Sequence, residues 1–452
     1  MPESDNRTHV LLRMADTNQG TYMYWRWLDD PDNPAYQVLD TGILASVEDL
    51  ISGALVSGLE GESDEDAVRR ALVDGPLSSP ARELRWSTAL RDLVFPEQLG
   101  RDILQRTEAG EHLLVRILPS PRLARIPWEL LPLPGGQRLL EAATVRLDAP
   151  AVVNSNRGRN PQTWDNVKDQ PPLYLLEPPT GAGTKAHVSG HVVAGAAIEI
   201  LEEANLFPVH PPVNRVELGS ILRGEPSPAR DRLIPADANP GAPSRILYYG
   251  HASSATEEPG SAAIHLSDGN TTFGAAMELD GGHRPFTALD LLLGTTQAGY
   301  RYPDTLYPHD EDIPGHEIWP IPPRAALIAC ESGADHRALE TFGLIIALLN
   351  AGAEMVTSTR WTLATDYAFH SITGTGLHHP TTDLAIAVDT AHQLEDPIAA
   401  IRTWQLQQLR LWETTADICH SPLTWAALTT HVSPAPHTPS TAQNNSGELL
   451  KP

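Results

Sequence analysis

The sequence predicts an α/β fold built on a mainly parallel sheet with helices on both faces, and three observations carry that prediction. The first is a pair of short, continuously apolar runs, Arg245-Ile246-Leu247-Tyr248-Tyr249-Gly250-His251-Ala252 and Ala325-Ala326-Leu327-Ile328-Ala329-Cys330-Glu331-Ser332-Gly333, each breaking off into turn residues. Runs that are apolar at every position are what strands buried on both faces look like. The second is the alternation of such runs with helical patterns from residue 172 onward, the signature of a parallel sheet with crossover helices. The third is length: 452 residues are many for one core and suggest two domains or one enlarged one.

Taken in order, His9-Val10-Leu11-Leu12-Arg13-Met14 and Thr21-Tyr22-Met23-Tyr24-Trp25-Arg26-Trp27 flank Asp16-Thr17-Asn18-Gln19-Gly20 and predict a hairpin. Residues 64–108 are helical in composition, and Leu113-Leu114-Val115-Arg116-Ile117-Leu118 is a strand closed by Pro119. A Pro/Asn-rich stretch, 154–172, reads as a linker or long surface loop. Beyond it come a strand at 172–177, a helix at about 193–205, the strand ending in His251, a long interval, and the strand ending in Cys330. A helix at 336–350, a strand at 354–359 and helices near 383–394 and 397–414 complete the pattern. Asp396-Pro397 fits an N-cap followed by proline at the first helical position. The expected organisation is an integral N-terminal accessory half (1–155), a linker or surface loop (156–171), a catalytic half (172–432) with an insertion at about 255–323, and a disordered tail (433–452), too poor in apolar surface to offset the entropy of ordering.

Composition narrows the function. A net charge of −25 makes nucleic acid and anionic membrane poor partners, since both demand dense cationic contacts. Two cysteines, Cys330 and Cys419, supply neither a disulfide framework nor a thiolate zinc cluster. The N-terminus lacks an apolar signal core and no stretch approaches eighteen consecutive apolar residues, so a cytoplasmic protein is expected. Gly181-Ala182-Gly183-Thr184-Lys185 lacks the spacing of a phosphate loop. Neither metal nor organic cofactor is expected.

His251 and Cys330 are the candidate chemistry. In an open α/β sheet the carboxyl-end rim is where reaction sites form, and an imidazole beside a thiol is a matched base and nucleophile. Each has a bland alternative. A lone cysteine in an apolar run is more often a small core residue, and a lone rim histidine more often a satisfied one; the Gly250-His251-Ala252 and Cys330-Glu331-Ser332-Gly333 contexts, taken together, reverse that. Cys419 reads as packing at a helix end, Trp128, Trp361 and Trp425 as core aromatics more readily than contacts, and the acidic run at Asp310 as a solvated loop.

With these residues in place, the chain resembles the CHAT domain, a bacterial branch of the caspase-like cysteine peptidases related to separase. The likeness is carried by Pro127-Trp128-Glu129-Leu130-Leu131, by Tyr249-Gly250-His251-Ala252, by Ala329-Cys330-Glu331-Ser332-Gly333, by Ala351-Gly352-Ala353 leading to Arg360-Trp361, and by Trp425-Ala426-Ala427, in that order. The resemblance implies a caspase-like sheet, Cys330 as nucleophile, His251 as its base, and the backbone N–H groups of Cys330 and Ala252 as oxyanion donors. Glu331, Asp290, Trp361 and Asp366 are candidates for the substrate pocket. It implies too a protein substrate and, in many bacterial settings, a place in defence or regulated proteolysis; with no sensor module in the chain, a regulatory partner acting in trans is expected. The sequence departs from the pattern at His251-Ala252, where caspase-like enzymes commonly have His-Gly; a turn needing positive φ would strain alanine there. The 79 positions separating His251 from Cys330 exceed the roughly 50 of caspases, and the excess falls in the insertion, which is expected to border the cleft as a lid or specificity loop. The rival readings are a catalytically silent CHAT-type scaffold that binds a partner protein, and a non-peptidase hydrolase or acyltransferase using the same thiol.

Overall fold

A computed structural model describes residues 7–56, 59, 61–150, 153, 162–179, 192–193, 195–234, 241–253, 262–269, 274–279, 282–295, 312–331, 341–374 and 378–433, with the course of the backbone alone at 64, 329–331 and 341–342. One mixed sheet of twelve strands runs through both halves. Its strands are β1 (Thr8–Thr17), β2 (Gly20–Trp27), β3 (Ala35–Asp40), β4 (Leu113–Leu118), β5 (Ala143–Asp148), β6 (Leu173–Leu176), β7 (Arg245–Ser253), β8 (Ala263–Ile264), β9 (Phe286–Thr287), β10 (Arg324–Glu331), β11 (Met355–Thr359) and β12 (Leu428–Val432). Their order is β3-β2-β1-β4-β5-β12-β11-β10-β7-β8-β9, and β6 also pairs with β7.

The interior of this sheet is largely parallel: β1 with β4, β4 with β5, β5 with β12, β11 with β10, β10 with β7, and β7 with β6. Antiparallel pairs occupy the two ends and the join between β11 and β12. The reason lies in the side chains. In β7, Leu247 and Tyr249 pack into one core and Ile246 and Tyr248 into another on the opposite face, and β10 divides Ala326 and Ile328 from Ala325 and Leu327 in the same way. A strand apolar on both faces needs a layer on each. Helix Pro380–His392 supplies one through Leu384, Ala385 and Val388; helices Arg215–Leu222 and Thr341–Asn350 supply the other through Leu218, Ile221, Leu344 and Leu348.

The hairpin forms as β1 and β2, joined at Asn18-Gln19 and running in register from Thr17↔Gly20 to Val10↔Trp27. Asp396 caps helix Pro397–Thr415 by accepting from the Ala399 amide, with Pro397 in the first turn. Three stretches carry structure that the sequence did not show. The C-terminal part of the anticipated linker is packed: Trp164 and Val167 are buried, and the Arg324 guanidinium lies 3.7 Å from the Trp164 ring centroid, an apolar anchor that holds the segment down. The described part of the insertion extends the sheet as β8 and β9 and adds helix Ala288–Leu293. Ser433, placed at the start of the tail, is buried and its amide bonds the Glu354 carbonyl at 2.8 Å; residues 434–452, like the acidic pair Asp310 and Glu311, lie outside the described residues.

Candidate functional site

β10 and β7 lie side by side and parallel, and their register pairs Cys330 with His251 and Glu331 with Ala252. Paired positions in a ladder share a face, and the alternation of β7 and β10 assigns 251 and 330 to the side of Leu247, Tyr249, Ala326 and Ile328. Two residues 79 positions apart are thus neighbours on adjacent strand ends because each caps an apolar run that the sheet aligns.

On the other edge of β7, β6 pairs with residues 246–249 and β8 with 252–253, so His251 stands where one neighbour gives way to the next. Glu177, the first residue beyond β6, makes that handover. Its φ of 47° takes the chain out of the strand, while its amide still bonds the Tyr249 carbonyl at 2.6 Å. Its carboxylate oxygen Oε1 lies 3.7 Å from His251 Nε2, and the two carboxylate oxygens accept from the amides of Val192 and Val193 at 3.1 and 2.9 Å. Burial by itself pushes this carboxyl up; His251 and the two backbone donors outweigh it and hold Glu177 below its ordinary range. Nothing in the sequence singled out Glu177; the one signal was its place at the end of an apolar strand run.

His251 is 9% exposed and, among the described residues, neither ring nitrogen has a hydrogen-bond partner, the 3.7 Å to Glu177 Oε1 being too long for one. Its carbonyl accepts from the Tyr248 hydroxyl at 2.5 Å, which secures the backbone on the opposite face. A buried imidazole that no described group satisfies is costly to keep, and such groups concentrate at functional sites.

The other candidates are placed as follows. Ala252 is extended strand, in register with Glu331 on one side and Ile264 on the other, and its φ is not positive, so the alanine carries no left-handed strain; equally, its backbone belongs to the ladder and not to the open turn that was expected. Glu331 enters only by its register. Asp290 is fully buried, capping helix Ala288–Leu293 by accepting from Thr287 and pairing with Arg215 at 3.3 Å. Asp366 accepts from the Thr381 amide and the Thr382 hydroxyl, and Trp361 donates its indole N–H to the Leu423 carbonyl. These three side chains are buried and bonded inside the protein. Cys419 is buried, and burial first, then Asp417, pushes its thiol up to about 12; it is a packing cysteine. Among the described residues no group of three or more His, Cys, Asp or Glu side chains is arranged to hold a metal ion, and no helix is long and apolar enough to cross a membrane.

No protein-family model matches the chain, and no curated protein matches it in sequence.

Proposed function

We propose that this chain is a cysteine endopeptidase of the caspase-like CHAT type, acting in the cytoplasm on a protein substrate. The observation that carries the reading is the pairing of Cys330 with His251 on adjacent parallel strand ends, with an imidazole that no described group engages by hydrogen bonding and a carboxylate behind it. In the reaction the imidazole takes the thiol proton, the thiolate adds to the peptide carbonyl, and the Cys330 amide faces the developing oxyanion. The tetrahedral adduct collapses as His251 passes the proton to the leaving amine, and water, deprotonated by His251, then cleaves the thioester. Glu177 keeps the ring oriented and supports its charged form.

The burial of His251 and the pairing of Ala252 on both sides support a resting state that a partner opens, in keeping with the activator in trans and the bacterial defence or regulated-proteolysis setting that the family likeness implies. In that reading the Ala252 amide turns to the oxyanion only once the last rung of the β7–β10 ladder parts. The same two features favour the rival scaffold, which would keep the rung closed. Covalent labelling by a set of peptidyl acyloxymethyl ketones distinguishes them. Wild type and Cys419→Ala are expected to label slowly, through the fraction of molecules whose rung is open, Cys330→Ala to be silent and His251→Ala to lose at least about 10²-fold in rate; equal labelling of all four proteins leaves the scaffold alone.

A further inference from the structure

Two residues beyond His251 on the same strand, Ser253 begins a buried chain of hydrogen bonds. Its Oγ lies 2.9 Å from His265 Nε2; His265 Nδ1 lies 2.9 Å from His283 Nε2; and His283 Nδ1 lies 3.0 Å from the backbone carbonyl of Asp268. The two rings lie edge to edge and nearly coplanar, 23° apart with centroids 5.1 Å apart, as an in-plane bond between ring nitrogens requires. His283 and His265 are 0% and 2% exposed. The chain has one end that cannot be reversed, because a carbonyl only accepts. His283 therefore carries its proton on Nδ1 and, being neutral, accepts on Nε2. His265 must then donate from Nδ1 and accept on Nε2, and the Ser253 hydroxyl must donate to it.

We propose that this relay makes Ser253 a substrate-binding residue of the same site: with its proton committed inward, its oxygen presents lone pairs only and accepts an N–H from the backbone of an extended peptide. The inference rests on the peptidase reading above. Position follows from register. Ser253 pairs with Ala263, so by alternation it shares a face with His251, two residues before it, and with position 265, two residues beyond Ala263. Ser253 is half-buried at the end of β7, whereas the two histidines behind it are sealed. Residues i and i+2 of a strand are about 6.6–7 Å apart, the spacing at which an extended peptide repeats its own N–H groups on one side. A peptide whose scissile carbonyl lies at Cys330 and His251 thus offers an amide to Ser253 within two residues of the bond cleaved. The alternative role, a serine nucleophile, fails on the base. Burial first, then neighbouring His283 and His251, pushes His265 down to about 3, so it holds the serine proton in a hydrogen bond and does not take it.

The test has two arms. In the first, rate constants for covalent modification of Cys330 are measured with iodoacetamide, with a peptidyl acyloxymethyl ketone, and with versions of that peptide N-methylated at each of the two amides nearest the reactive carbonyl. Ser253→Ala is expected to slow the parent peptide about five- to tenfold, the range of one neutral hydrogen bond, and to leave iodoacetamide unchanged. One N-methylated peptide should lose a similar factor on wild type and nothing further on Ser253→Ala. Equal slowing of iodoacetamide and peptide, or undiminished sensitivity to N-methylation in the variant, overturns the proposal while the peptidase reading stands. A wild type that reacts with iodoacetamide and with no peptide removes that reading and the role of Ser253 with it. The second arm needs no turnover: histidine-selective nitrogen NMR should find His265 and His283 neutral at pH 7 with protons on Nδ1, and a proton on His265 Nε2 refutes the relay.

Discussion

Glu177 shows what one residue does when a strand ends beside another that continues. Its left-handed backbone and its carboxylate serve different neighbours: the first releases the chain from β7, the second meets His251 and two amides. Glu177→Gln keeps the shape and removes the charge, and it is expected to slow peptidyl labelling of Cys330 on the order of 10²-fold, the lower end of what a positioned acid–base system supplies; an unchanged rate would separate Glu177 from the reaction. A pH consequence goes with it. The folded-state pKa lies below the unfolded value of 4.5, so the stabilisation is fully present above that value and is lost as pH falls through the lowered folded one. The difference in melting temperature between wild type and Glu177→Gln should hold steady from pH 7 to about pH 5 and shrink below pH 4.5; a difference that stays constant to pH 3 contradicts the assignment.

At the scale of elements, the segments that carried the family likeness divide into chemistry and carpentry. Pro127-Trp128-Glu129-Leu130-Leu131 holds the halves together. Glu129 accepts from Arg360 Nη2 on both oxygens, at 2.9 and 2.8 Å, and the same guanidinium donates to the carbonyls of Ile126 and Leu428. Trp128, fully buried, packs in the core beside them. Gly352 of Ala351-Gly352-Ala353 has φ of 128°, and a Cβ there would stand 2.7 Å from the Ile321 carbonyl oxygen, so only glycine fits the turn into β11. Glu129→Ala leaves Arg360 charged and buried, and should cost about 3–5 kcal/mol in denaturant titration, whereas the double replacement Glu129→Leu with Arg360→Met should recover most of that. A single variant within 1 kcal/mol of wild type would mean that water reaches the pair. Of these elements the strands ending at His251 and Cys330 were legible because continuous apolar runs announce burial on both faces. The short β5 and β12 were not: Thr429 and Thr430 sit in β12 among neighbours that only the assembled sheet supplies.

For the whole molecule, the two halves on either side of 155–172 share one sheet and one core. β5 and β12 pair in parallel at His431↔Leu147 and Val432↔Asp148, and one apolar core contains Leu12, Val115 and Trp128 from one half together with Tyr249, Ile328 and Leu384 from the other. Fragments 1–155 and 162–433, made separately, are therefore expected to lack cooperative thermal transitions, since each would expose a sheet edge and half a core; made together they should associate and recover one. A cooperative transition in either fragment alone would mean that the halves fold as separate domains.

The residue order by itself determined the α/β class, the hairpin, the caps and the pair of residues on which the proposed chemistry turns, because all of these are written in local periodicity, in turn-forming residues, or in the break at the end of an apolar run. Only tertiary structure decided which carboxylate stands behind His251, that Ala252 lies in a ladder, that Asp290, Trp361 and Asp366 are buried, and that Ser253, His265, His283 and the Asp268 carbonyl form one chain. Each of those depends on groups brought within a few ångströms from distant parts of the chain, and burial, which makes a polar contact consequential, is a property of the assembled sheet and helices that no stretch of sequence carries alone.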